Sequence, residues 1–255
     1  MPEHLVFEQP LNERVRGFIR LDHLFRQAYH HLAGTTRWDS QAAVSALVEL
    51  LDVLGRTDIK AELLKEVDRY QSALAALSKA PGVDVHRLDE ILTQLTEAGG
   101  ALAEYQGQLG QSLRENEFLS AIRQRKAVPG GSTHIDLPGY HYWLEQPGAA
   151  RNETLHTWLA ELEPARRPVA LLLELLRDSS EWEPKVASTG FFQQSLNSTS
   201  PPQLIRARVP RGTGIYAEIS AGRHRFSLRF VHFSDRERPR QVKDDVDFEL
   251  SCCGL

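Results

Sequence analysis

Cysteine is nearly absent. Of 255 residues only Cys252 and Cys253 carry thiols, which excludes a disulfide framework and any all-cysteine zinc site. No apolar run approaches the roughly 20 residues that a membrane span requires. The opening MPEHLVFEQP lacks the charged-then-apolar layout of a secretory leader. These absences lead us to expect a reducing, cytoplasmic setting and no membrane partner. Low-complexity sequence is also missing: 41% hydrophobic and 25% charged residues with a formal charge of −4 describe an ordinary globule. The length allows one large domain or two small ones.

Lysine is scarce too, with 6 against 24 arginines. Arginine keeps its charge at any working pH and presents a planar fork of donors to carboxylates. The surplus suits either a surface that grips anions or a simple solvated exterior.

Through residue 125 the pattern is helical. Leu11, Val15, Phe18, Phe25, Tyr29 and Leu32 recur at helical spacing, with Asn12 placed to cap after Pro10. Further helices are predicted over Asp39–Leu54, Asp58–Leu77, Asp84 to Gly99-Gly100, and Ser112–Arg125. Ser132–Leu137 reads as a short strand. A helical turn through Tyr140 and Trp143 follows, then helices over Glu153–Leu162 and Pro168–Arg177. The apolar run VALLLELL in the last of these predicts a helix central to the helical part.

After Trp182 the period changes to two. Alternation over Leu204–Val209, Ile215–Ser220, Arg225–Phe230 and Asp245–Leu250, with Gly212-Thr213-Gly214 read as a hairpin turn, predicts an antiparallel sheet with one buried face. Helices first and strands afterwards define an α+β fold. The predicted division is an α-helical domain over 1–127, joined by the helices of 138–180, and a β domain from 128–137 with 181–255. The two domains are thus partly interleaved in sequence.

Motifs for catalysis are missing. There is no phosphate loop and no nucleophile elbow. His134, Asp136 and His141 lie close in sequence, but a Pro-Gly break separates them, so no metal and no cofactor are expected. An enzyme built on that trio remains an alternative. Adjacent Cys252 and Cys253 face opposite sides of a strand and suggest no partner for a nucleophile.

Arginine clusters are the better lead. Leu204–Arg229 holds six arginines, Arg206, Arg208, Arg211, Arg223, Arg225 and Arg229, against one acid, Glu218. Parity puts Arg225 and Arg229 on the solvent side of their strand. Asp245, Asp247 and Glu249 on a neighbouring run offer cross-strand partners, too few to neutralise the cluster. In the first helix Arg16 and Arg20 are one turn apart on the face opposite the apolar stripe, with His23 close by. A nucleic-acid platform of arginines beside Phe226 and Phe230 is the alternative function. Parity opposes it, because both phenylalanines face away from Arg225 and Arg229.

FEQPLNERVRGFIRLDHLFRQ (7–27), ELLDVLGRTDIKAELLKEVDR (49–69), PGVD (81–84), LREN (113–116), IRQRKAVPGG (122–131), DLPGYHYWL (136–144), the RF-x-x-RF of 225–230 and DFELSCC (247–253) occur in one order along the chain. In these blocks the sequence resembles the ZapD family, the Z-ring-associated proteins D of bacterial cell division. The resemblance implies a non-enzymatic homodimer with a helical and a β domain. It implies binding to the C-terminal tail of FtsZ, bundling of FtsZ protofilaments, and recruitment from the cytoplasm to midcell. No nucleic-acid partner is implied. The matching positions for tail recognition are Arg16, Arg20, Arg56, Arg114, His141, Arg225 and Arg229. Where enterobacterial members carry a further arginine after the LRED block, this chain has Glu117, which weakens the cationic patch locally. An apolar pocket beside these cations, which the tail requires, is expected around Tyr140–Trp143.

Overall fold

A computed structural model describes residues 3–55, 58–78, 82–197 and 201–254. It is an α+β structure made of two compact units, one formed by Gly17–Leu172 and the other by Met1–Arg16 with Leu173–Leu255.

The helical unit is built around α2 (Arg37–Leu54), whose Ala43, Val44, Ala46, Leu47, Leu50 and Leu51 are all buried. Thr36 starts this helix through a capping box: the Asp39 amide donates to the Thr36 hydroxyl at 3.2 Å, and the Thr36 amide donates to the Asp39 carboxylate at 3.1 Å. α1 (Glu13–Leu32) begins where the Asn12 side chain accepts from the Val15 amide at 2.8 Å, as its sequence position predicts. α3 (Ile59–Leu77) and α4 (Val85–Glu104) form an antiparallel pair, each with an aspartate at its N-cap, Asp58 and Asp84. α5 (Gln111–Glu115) and α6 (Glu117–Arg125) replace the single helix predicted there. Asn116 adopts an extended backbone and turns its side chain to accept from the Leu119 amide at 3.0 Å, which ends one helix and caps the next. α7 (Pro138–Leu144), α8 (Gly148–Ala160) and α9 (Glu163–Asp178) complete the helices among the described residues.

Two expectations fail in this part of the chain. Ser132–Leu137 forms consecutive turns, with the Asp136 and Leu137 amides both bonded to the Thr133 carbonyl, and no strand. Its alternation is too short to matter once Gly130, Gly131 and Pro138 fix the backbone around it. The VALLLELL helix, α9, is not the central one. Val169, Leu172, Leu173 and Leu176 are buried, whereas Glu174 is exposed, so α9 is amphipathic and α2 holds the central place.

The β unit has two facing antiparallel sheets. The first orders β1 (His4–Pro10), β4 (Leu204–Pro210), β8 (Val246–Cys253) and β2 (Glu183–Ala187) as β1-β4-β8-β2. The second orders β3 (Phe191–Ser195), β6 (Arg225–His232) and β5 (Ile215–Ala221) as β3-β6-β5, with β7 (Arg240–Gln241) also paired to β6. The inward side chains meet between them. The Phe230 and Phe248 rings, one from each sheet, are 4.9 Å apart, and Phe192 meets Phe248 at 5.3 Å.

β1 escapes sequence reading because its outward Val6, 44% exposed, is as apolar as the inward Leu5 and Phe7, so the sequence shows no polar–apolar alternation. The Gly212–Gly214 segment is not a hairpin turn between paired strands. It carries the chain from β4 in one sheet to β5 in the other. The β2–β3 connection is a tight turn with Thr189 and Gly190 both at positive φ, 52° and 70°. A Cβ at Gly190 would lie 2.5 Å from the Val242 carbonyl oxygen, so only glycine fits there.

Candidate functional site

The cations foreseen from the sequence fall into both units. In the helical unit Arg20 is exposed on α1 and makes no ion pair among the described residues. It borders an open groove of about 720 Å³. Ile19, Arg20, His23 and Leu24 line it from α1, Glu49, Asp52 and Val53 from α2, and Lys126 from the end of α6. The amphipathic period of α1 explains the arrangement. Leu21, Leu24 and Phe25 are buried, Ile19 is half-buried at the edge of that stripe, and Arg20 and His23 project beyond it. Lys126 pairs with Glu49 at 2.9 Å. Asp52, half-buried, makes no ion pair among the described residues.

Arg114 does not line this groove. Its guanidinium folds back onto the preceding loop, donating to the Leu109 carbonyl at 2.7 Å and the Gln108 side chain at 3.2 Å. His141 is exposed on α7, with its ring 5.5 Å from that of His134. Arg56 lies outside the described residues. Glu117 occupies the first turn of α6, where a carboxylate meets the positive end of the helix dipole. That position gives the acid a local structural role.

In the β unit Arg16 donates to Glu13 at 3.1 Å, one turn back on α1. Arg225 and Arg229 share the outward face of β6, as parity predicts, over buried Phe226 and Phe230. Arg225 makes no ion pair among the described residues, while Arg229 is clasped by Glu218, its register partner on β5, at 3.0 Å from Nε. The acidic ladder expected to face this pair is elsewhere, because β8 belongs to the other sheet. There Glu249 takes both donors of Arg208, at 2.6 and 2.9 Å, and Asp245 accepts from the Thr189 amide in the β2–β3 turn. The Arg208 partnership, a side-chain hydrogen bond first, holds the Glu249 carboxyl below its ordinary value.

Arg206 and Arg208 are also spoken for. Both guanidiniums lie against the Trp182 ring, at 4.8 and 4.5 Å from its centroid. Arg206 pairs with Glu8 at 3.1 Å, and Arg177 grips the same carboxylate at 2.8 and 2.9 Å. These arginines brace β1, β4 and the chain before β2. The composition of Leu204–Arg229 overstates the free positive charge by that much.

Around Tyr140–Trp143 the structure has a packed aromatic cluster, and Tyr140 also lines a pocket of about 280 Å³ with Val48, Ile122, Val128, Arg125 and Lys126. Tyr140 stacks on Trp143 at 5.9 Å, and Phe118 contacts both rings edge-on. Tyr140 is buried, and burial pushes its phenol well above the ordinary range. None of these aromatic residues lines the groove beside Arg20. Sequence reading missed that groove, although Ile19 next to Arg20, off the main apolar stripe of α1, is its one local sign.

Among the described residues no group of three or more His, Cys, Asp and Glu is arranged to hold a metal ion. Asp136 faces Arg125 at 3.8 Å. Burial pushes the Cys252 thiol up to about 11 and also raises Cys253, so neither is poised as a thiolate nucleophile. No described helix is long and apolar enough to cross a membrane.

Fold and surface together define an α+β protein with exposed arginines on α1 and on the outward face of β6, and with a groove between α1 and α2 lined by apolar side chains and charges of both signs. Comparison with known proteins supplies the family. The model of ZapD, described as a cell division protein, matches residues 19–229. The cell division protein ZapD of Methylococcus capsulatus is 41% identical over 255 residues, covering 100% of both chains. Those of Bordetella petrii and Coxiella burnetii are 39% and 38% identical, each over 98% of this chain and 98% or more of their own. The chain belongs to the ZapD family of cell division proteins.

Proposed function

We propose that this chain binds the C-terminal tail of FtsZ and, as a cytoplasmic homodimer, cross-links FtsZ protofilaments and so supports the Z-ring at midcell. It acts as a binding protein, with no catalytic step and no cofactor. The observation that carries this reading is that Arg20 on α1 and Arg225 on β6 are exposed and make no ion pair among the described residues, in a family of cell division proteins. Arg16, Arg56, Arg114, His141 and Arg229 complete the proposed tail-binding set.

The physics favours weak single contacts made strong by pairing. A two-fold dimer presents two copies of one site. Tails from two filaments are then held together, and the second contact is made at high effective concentration. A flexible tail bears its ordering cost on binding, so each contact alone is modest. Charge steers the encounter, and raised salt weakens it as the screening length falls to about 10 Å at ~0.1 M.

The test is co-sedimentation of FtsZ filaments with the Arg20→Ala/Arg225→Ala double variant. Both side chains are exposed, so the variant should keep the wild-type melting temperature and lose bundling. Undiminished bundling by the double variant would refute the assignment of these two cations.

A further inference from the structure

We propose that His134 and His141 form a two-histidine site for a first-row transition-metal ion, with Zn²⁺ the expected occupant and water in the remaining coordination positions. The site lies in the helical unit and does not rest on the FtsZ-tail reading, although His141 belongs to both.

The backbone brings the two rings together. The histidines are seven positions apart, close to two turns of a helix. The path between them is helical in its hydrogen bonds. The Leu137 amide donates to the Thr133 carbonyl at 2.9 Å, and the His141 amide donates to the Leu137 carbonyl at 3.0 Å. Pro138 opens α7 at the point where a missing N–H is tolerated. His134 and His141 therefore share one side of this path. A helical side chain leans toward the N-terminus, which carries the His141 ring back toward His134. The ring centroids are 5.5 Å apart, with the planes tilted by 52°.

That separation suits a shared ion. With Zn–N distances of about 2.0–2.1 Å and tetrahedral angles, two imidazoles on one ion hold their centroids roughly 5 Å apart. Both residues are exposed, and neither imidazole makes a hydrogen bond or ion pair among the described residues. Each ring can therefore rotate to offer a nitrogen in place of one water of the hydrated ion. Imidazole favours Zn²⁺, Ni²⁺ and Cu²⁺, whereas Mg²⁺ and Ca²⁺ take oxygen ligands. Asp136 faces Arg125 at 3.8 Å and is not counted as a ligand. Two protein ligands make an exchangeable site, unlike the closed four-ligand sites of structural zinc. The other histidines near a possible co-ligand are placed differently. His30 and His31 are adjacent on α1, with His31 facing Asp39 at 3.7 Å, and His86 faces Glu90 at 3.3 Å.

The experiment is calorimetric titration of the full chain with Zn²⁺, alone and in the presence of excess Mg²⁺. The wild-type chain should bind Zn²⁺ saturably, and Mg²⁺ should not displace it. His134→Ala and His141→Ala should each weaken that binding by about tenfold or more, because losing a ligand costs at least as much as losing a ligand's supporting partner. Both positions are exposed, so metal-free melting curves should match wild type and show the variants to be folded. His86→Ala, at the rival His–Glu pair, should bind as wild type does. Absence of saturable Zn²⁺ binding by the wild-type chain overturns the proposal. Wild-type affinity in either His134→Ala or His141→Ala, or loss in His86→Ala instead, puts the ion elsewhere and overturns it too. Displacement by Mg²⁺ would mean that oxygen ligands hold the ion, which contradicts the two-histidine assignment.

Discussion

Arg151 is the perturbation that most directly tests how the helical unit is held together. It is a buried arginine, 5% exposed, at the start of α8, and no carboxylate is among its hydrogen-bond partners. Its guanidinium donates instead to the Ser40 hydroxyl at 2.9 Å, the Leu144 carbonyl at 3.1 Å, the Gln146 carbonyl and the Thr35 carbonyl at 2.7 Å. One side chain therefore ties the α1–α2 connection, the body of α2 and the α7–α8 connection. Each hydrogen bond to a charged donor contributes about 1.5–3 kcal/mol, but bonds from one guanidinium are not additive. Arg151→Ala strands four acceptors and leaves a cavity, so the expected loss is about 3–5 kcal/mol. At roughly 2–4 °C per kcal/mol for a chain of this size, Tm should drop by about 6–20 °C. Arg151→Lys keeps the charge without the planar fork and should recover only part of the loss. Chemical denaturation followed by tryptophan fluorescence reads both variants, since Trp143 and Trp158 sit in the same unit. A loss below about 1 kcal/mol for Arg151→Ala would refute the reasoning.

The Tyr29–Glu163–Arg166 cluster makes the helical unit sensitive to acid. Burial alone would raise the Glu163 carboxyl, but hydrogen bonds from Arg166, at 2.6 and 2.9 Å, and from Tyr29 overcome it and hold its pKa below the ordinary 4.5. A carboxylate lowered in the folded state contributes stability above its unfolded value and loses it as pH falls through the folded one. The Tm gap between wild type and Glu163→Gln should therefore be largest near neutral pH and close as pH drops below 4.5; a pH-independent gap would contradict this sign. Tyr29→Phe removes the phenol donor but leaves the arginine in place, and should cost about 1 kcal/mol at neutral pH by the same melting assay.

The α+β class and most helices are legible because their signal is local: apolar period, the Asn12 cap, aspartates at helix starts, and the change of period after Trp182. What was not legible depends on pairing across the chain. β1 joins β4 about 200 residues later in sequence, and nothing within His4–Pro10 announces that partner. The acidic run of β8 looked like the natural mate of Arg225 and Arg229 until the sheet order put it beside β4. Parity placed the arginines on the correct face, yet parity is silent about which strand lies alongside. The same holds for the surface. Arg20 was visible as an exposed cation at helical spacing, but the groove beside it needs Asp52 and Val53 from α2 and Lys126 from the end of α6. Three separated segments make it, and no one of them carries a motif. Arg206 and Arg208 show the converse error: a count of arginines read as free charge was absorbed by Glu8, Glu249 and the Trp182 ring.

The central claim is that this protein joins filaments by holding their flexible tails. Co-sedimentation of the full-length chain with FtsZ polymers, intact and with the C-terminal tail removed, addresses it directly. Thick bundles and co-pelleting with intact polymers, both lost with tail-less ones that still polymerise, are the predicted result; equal co-pelleting with the two polymers would contradict it.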